Sequence, residues 1–171
     1  MRCLRFRDRT NRQIDQGHGQ FHTLDFVILL IYPKIVDQCP ECDRTLLDLF
    51  ENGFTQIGSK STGVIDISYS FVPCGITSPI ILKNKSGTSP YWFSMQVVNS
   101  NVAISKLEVS IDGGATWKAT SRQPYNFFEN SSGFGKSSVD VKVTSVDGKS
   151  IVVKGVSVSS GSTKTASSNF S

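Results

Sequence analysis

Hydrophobic and polar residues alternate with a period of two through most of the second half of the chain. Phe93, Met95 and Val97 alternate with Trp92, Ser94 and Gln96; Leu107, Val109 and Ile111 with Glu108 and Ser110; Val139, Val141 and Val143 with Asp140 and Lys142. Successive side chains of a strand point to opposite faces, so each run predicts a half-buried strand. Ile80–Leu82, Ile151–Lys154 and the pair Val156 and Val158 add shorter ones. Asp112-Gly113-Gly114 and Asp147-Gly148 have the composition of hairpin turns. About seven short strands in roughly 95 residues predict a β-sandwich of immunoglobulin-like size. The Ser- and Thr-rich stretch Ser159–Ser168 predicts an edge strand or a frayed tail. Trp117, just after a hairpin turn, is expected in the core; Phe127, Phe128 and Phe134 are expected as core or edge filler.

The first half reads differently. Residues 1–24 show neither helical nor strand periodicity and are expected to be disordered or poorly packed. Phe26–Val36 opens with FVILLIY, too short to span a bilayer, and predicts a buried strand. Pro40, between the cysteines, predicts a loop. Phe50, Phe54 and Ile57 carry helical spacing, with Gly58 as the stop. Over Val64–Val72, Ile65, Ile67, Tyr69 and Phe71 alternate with Asp66, Ser68 and Ser70, which predicts another strand. The fold class is all-β.

Charge divides the chain in the same places. Residues 1–33 hold five basic and three acidic side chains, residues 34–75 three and six, and residues 76–171 ten and five. An acidic middle beside a basic tail suggests two units with different tasks. The lysines of the tail are spread along strands rather than clustered, which favours a polymer partner over nucleic acid or a membrane surface. Cys39 and Cys42 form a CxxC without a second pair or a suitably spaced histidine, so structural disulfides are favoured over zinc or redox chemistry. Disulfides and the three sequons at Asn84, Asn130 and Asn169 point to an extracellular, secreted protein. No signal peptide is visible: Met1–Thr23 is polar and carries five arginines.

Two constellations carry candidate chemistry. With Phe93, Met95 and Val97 turned inward, Trp92 faces out. Tyr91 sits at the rim, and Tyr125 lies in the loop Gln123-Pro124-Tyr125-Asn126. Flat aromatic faces in a polar surround suit the C–H faces of sugar rings, and Lys83 or Lys85 could donate to sugar hydroxyls. The plainer alternative is that both tyrosines cap the core with their hydroxyls at the surface. The second constellation is Asp37 and Asp48, eleven positions apart. Asp48 lies between Leu47 and Leu49, an apolar setting suited to a general acid. Equally, Asp48 could cap the following helix.

The segment Ile35–Phe50 (IVDQCPECDRTLLDLF), followed by the Ile-x-Ile-x-Tyr strand that ends in Val72-Pro73-Cys74, resembles the second half of an expansin double-psi β-barrel. Gly75–Phe170, with PYWFSMQVVN, the Asp-Gly-Gly hairpin, WKATSRQPYNFF and the closing GSTKTASSNF, resembles the expansin carbohydrate-binding module. The likeness is to microbial and fungal expansins and swollenin. It implies an atypical segment 1–33, a partial barrel over 34–75 and a binding sandwich over 76–171. Met1–Tyr32 does not resemble the upstream half-barrel, so an erroneous N-terminus is expected there. The resemblance matches Asp48 and Asp37 to barrel carboxylates, and Tyr91, Trp92 and Tyr125 to a linear platform that stacks on cellulose. Lys85 matches a supporting lysine. It implies a monomeric, non-hydrolytic protein that binds and loosens cell-wall β-glucan, with no metal or organic cofactor, no nucleic acid and no membrane. The alternatives are a glycoside hydrolase or lytic transglycosylase using Asp48 as general acid, or a bare binding module.

Overall fold

The structure, a computed structural model, describes the backbone of residues 3–8, and residues 33, 41–43 and 46–171 in full. The chain forms two units, one including Pro73–Ser171 and the other Cys3–Ile35 and Glu41–Val72.

In the smaller unit, β1 (Cys3–Asp8) pairs antiparallel with β2 (Ile67–Val72), placing residue 4 opposite Phe71 and residue 6 opposite Tyr69. The strand β1 corrects the expectation of no strand in the first 24 residues. Leu4 and Phe6 alternate with Arg5 and Arg7, a pattern obscured by the polar sequence around it. The strand expected over Phe26–Val36 lies outside the described residues, apart from Pro33. The helix is shorter than the spacing predicts: α1 covers only Glu51–Phe54. Phe50 is its N-cap and is 80% exposed, so it does not share the buried face. Ile57 anchors a small cluster with Leu47, Leu49, Ile65 and Ile67. The strand expected over Val64–Val72 forms as β2, but its burial does not alternate: Tyr69, Ser70 and Phe71 are all exposed, the two rings by about half, and the rings meet edge to face. Cys42 and Cys74 are each disulfide-bonded.

The larger unit is a sandwich of two antiparallel sheets. One sheet contains β3 (Ile81–Asn84), β4 (Phe93–Val98), β7 (Ser121–Arg122), β8 (Phe128–Asn130) and β11 (Thr163–Thr165). Its order is β11-β3-β4-β8-β7. The other contains β5 (Ile104–Ser110), β6 (Lys118–Ala119), β9 (Ser138–Ser145) and β10 (Ser150–Ser157), ordered β10-β9-β5-β6. The inward residues of both sheets form one core: Leu82, Phe93, Met95 and Phe128 from the first, Leu107, Val109, Val141 and Val143 from the second. Burying each such side chain contributes about 1.5–3 kcal/mol. The strands β6 and β7 are two residues long and exposed, too short for any periodicity to reveal them. The predicted edge strand in the Ser/Thr-rich tail is β11.

Register depends on one irregularity. Val153 and Val156 both face the core although three positions apart, because a bulge between them resets the alternation. Gly155 takes the left-handed conformation there (φ 62°), and its N–H donates to Asp140 Oδ1 at 2.8 Å.

Two core expectations fail. Ile111 is 40% exposed, because β5 ends at Ser110 and the chain turns. Trp117 is half-buried outside the core, with Lys142 Nζ 4.5 Å from its ring centroid. The neighbouring Glu108 bridges Lys142 and Lys106 at 3.0 and 3.2 Å. Burial pushes the Glu108 carboxyl up, but the two lysines outweigh it and hold it below its usual value. Two sequons are also taken up by the fold. Asn84 is 2% exposed and donates to Ser157 O and Ser162 Oγ. Asn169 donates to Ser78 O and Asn99 O. Their amides are committed to the fold, which removes two of the three sequence arguments for glycosylation.

The turn after β5 gives a first prediction. Asp112 accepts from the Ser110 hydroxyl and from both the N–H and the hydroxyl of Thr116. These bonds, the Thr116 hydroxyl first, hold its carboxyl well below the ordinary 3.8. A depressed carboxyl stabilises the fold above its unfolded value and loses that contribution as pH falls through the folded one. Asp112→Ala should therefore lower the urea midpoint at neutral pH, and its gap to the wild type should shrink below pH 3.8. A gap that stays constant on acidification would refute the assignment.

Candidate functional site

The candidate site is built at one end of the five-stranded sheet. Ser89 and Trp92 exchange backbone hydrogen bonds (2.8 and 3.2 Å), closing a tight turn with Pro90 and Tyr91 at its corners. Proline presets the backbone for the first corner, and Tyr91 is thrown to the tip, 79% exposed. The turn is held from the side. The N–H groups of Phe134 and Gly135 both donate to Pro90 O, at 2.9 and 2.8 Å. Gly133 passes so close that a Cβ there would lie 2.1 Å from Pro90 O. Phe134 then packs edge to face on Phe93, centroids 5.1 Å apart, and ties the turn to the core.

Tyr125 comes from a second turn, between β7 and β8. Gln123 N donates to Phe127 O, and Asn126, left-handed at φ 62°, donates to Gln123 O. Arg122 locks this hairpin by donating to Asn126 Oδ1 and to Ile104 O. Tyr125 is 38% exposed and meets Phe127 at 5.9 Å, tilted by 49°.

Lys85 joins the two turns. Its backbone N–H donates to Ser94 O. Its Nζ lies 4.3 Å from the Tyr125 centroid, 5.5 Å from Phe127 and 5.8 Å from Trp92. Three rings around one ammonium make a cation–π cluster. Below it sits Glu129, its Oε1 3.8 Å from Lys85 Nζ. The same oxygen accepts from Ser94 Oγ (2.8 Å) and Tyr125 Oη (2.9 Å). That last bond, with desolvation and the carboxylate's charge, raises the Tyr125 pKa above 10.0.

The structure thus brings together Trp92, Tyr125 and Lys85, with Tyr91 on the same turn as Trp92. Trp92 is only partly exposed, and Ser94 is not on a solvent face at all: it is fully buried beneath Glu129. Phe127, expected as filler, is half-buried among the site residues. Glu129 and Gly133 escaped sequence reasoning. Inward-facing Phe128 implies an outward Glu129, but only the pairing of Ser94 with Glu129 puts it under the rings. Asp48 belongs to the smaller unit and is exposed. It does not cap α1, whose N-cap is Phe50 with no side-chain cap bond. Asp37 lies outside the described residues. Among the described residues, no cluster of three or more His, Cys, Asp or Glu is arranged to hold a metal.

Fold and site together define an all-β protein whose sandwich displays part-exposed rings around a lysine. Over 140 residues (79% of this chain, 49% of the relative) it is 32% identical to expansin-like protein 1 of Dictyostelium discoideum. Over 115 residues (67% of this chain, 48% of the relative) it is 34% identical to the expansin YoaJ of Bacillus subtilis. It also resembles the crystal structure of the Clavibacter michiganensis expansin, with a TM-score of 0.72 and 24% identity over 98% of this chain and 73% of that one. A point mutant of that expansin in complex with cellohexaose gives a TM-score of 0.73. No protein-family model matches the chain. In sequence the chain is similar to expansins and expansin-like proteins and in fold to a bacterial expansin, and it spans about half the length of the curated relatives it matches.

Proposed function

We propose that the sandwich is a carbohydrate-binding module that docks on cellulose or a related cell-wall β-glucan through Tyr91, Trp92 and Tyr125, with Lys85 donating to sugar hydroxyls. The work done is adhesion and the loosening of noncovalent contacts, not bond cleavage, by a secreted monomer. Asp48, in the smaller unit, and Asp37 are proposed as further carboxylates that contact a glucan chain. The observation that carries the reading is the clustering of the Trp92 and Tyr125 rings on one lysine, with the rings part exposed. Such rings are costly to leave against water without a partner, and sugar C–H faces stack on them. The likeness to expansins and the cellohexaose bound to a structural neighbour support the same substrate class.

Retention on microcrystalline cellulose tests it. Trp92→Ala and Tyr125→Ala should each weaken binding about tenfold, the equivalent of about 1.4 kcal/mol, while the thermal midpoint barely moves. Undiminished retention in both variants would refute the platform. Release of reducing ends from soluble β-glucan, lost in Asp48→Asn, would overturn the non-hydrolytic part alone.

A further inference from the structure

We propose that Glu129 is a positioning residue for the platform: one carboxylate oxygen holds the Tyr125 ring and the Lys85 ammonium in fixed relation, so that both are preformed for the glucan. The proposal rests on the cellulose-binding reading above and goes beyond it, because Glu129 is not itself offered to the sugar. Its side chain is only 14% exposed. Its Oε1 is engaged by Ser94 and Tyr125 and faces Lys85. Ser94 is fully buried and lies directly opposite on β4, so the sheet itself fixes the carboxylate from below. The carboxylate in turn fixes two groups from two separate turns, the one after β3 and the one before β8.

Each tie has a physical consequence. Besides its ring contacts with Phe127 and Lys85, Tyr125 is held by its hydroxyl, and a donated O–H···O bond to an ionised acceptor is a strong restraint. Lys85 is drawn among three rings and loses part of its hydration; a counter-charge at 3.8 Å offsets that loss. Rings held before the ligand arrives need not be ordered on binding, and affinity rises by that saved entropy. Removing Glu129 leaves the buried Ser94 hydroxyl without its acceptor and the lysine without its counter-charge, and releases the phenol.

The full chain carrying Glu129→Gln, Glu129→Ala, Tyr125→Ala or both alanines is compared on microcrystalline cellulose, with thermal midpoints and an ultraviolet titration of the tyrosines. Glu129→Ala should weaken retention about fivefold to tenfold. Glu129→Gln, which keeps an acceptor oxygen and the side-chain volume, should lose less and stay folded. In the Tyr125→Ala background the further loss from Glu129→Ala should shrink, since the two act through one contact. Independently of cellulose, one tyrosine should ionise at lower pH in Glu129→Ala than in the wild type. Unchanged retention, equal loss in both backgrounds, or an unchanged titration would each overturn the positioning role. Failure of the wild type to bind would instead sink the platform reading, and the titration would still decide whether Glu129 holds Tyr125.

Discussion

Gly133→Ala should unfasten the platform and abolish retention on cellulose. Two costs add. Gly133 has φ +61°, a left-handed conformation that costs an L-residue about 1–2 kcal/mol. The new Cβ would also lie 2.1 Å from Pro90 O and 2.6 Å from Tyr91 C, both backbone atoms with no free torsion to yield. Relief requires the 89–92 turn to move off, breaking the bonds from Phe134 and Gly135 to Pro90 O, about 1 kcal/mol each. The expected loss is therefore about 3–4 kcal/mol from a domain whose total stability is about 5–15 kcal/mol. Gly135→Ala is the internal control. It shares the left-handed backbone (φ +68°), but nothing lies within 4 Å of its Cβ position, so it should show the strain cost alone. Thermal unfolding and cellulose retention read both. Equal effects of the two substitutions would refute the close-approach argument.

Phe93→Ala should be the most destabilising truncation near the site. Phe93 is fully buried and stacks edge to face on Phe134, the residue that ties the platform turn to the core. Truncating a buried phenylalanine costs about 3–5 kcal/mol in lost burial and residual cavity. The urea midpoint should fall sharply with the slope unchanged. Its neighbour Trp92 should behave inversely, losing binding about tenfold with little change in stability. This contrast between adjacent residues follows from strand alternation: one ring is inside and the next is at the surface. A Trp92→Ala variant as unstable as Phe93→Ala would place the indole in the core instead.

The core strands of the sandwich were legible because their signal is local. Phe93, Met95 and Val97, or Val139, Val141 and Val143, repeat at the period that a half-buried strand imposes, and all six are buried. The same rule misplaced Ser94. Periodicity assigns a face and cannot say what lies upon it, and here a carboxylate from β8 covers that face. Trp117 failed for a related reason: a large ring after a turn is equally compatible with either side of a sheet, and Lys142 on β9 holds it outside. The bulge at Gly155 was readable only as a break between Ile151–Lys154 and Val156.

By itself, the sequence determined that the second half is an all-β sandwich, which side of each long strand is apolar, and that Tyr91, Trp92 and Tyr125, with Lys83 or Lys85, are binding candidates. Those facts follow from side-chain period and residue chemistry, which travel with the chain. The tertiary structure alone decided that the candidates converge. Lys85 and Tyr125 are forty positions apart and meet because β3, β4 and β8 are neighbours in one sheet. Glu129 became part of the site only through its pairing opposite Ser94. Strand order and register are set by packing between distant segments, and no local pattern encodes them.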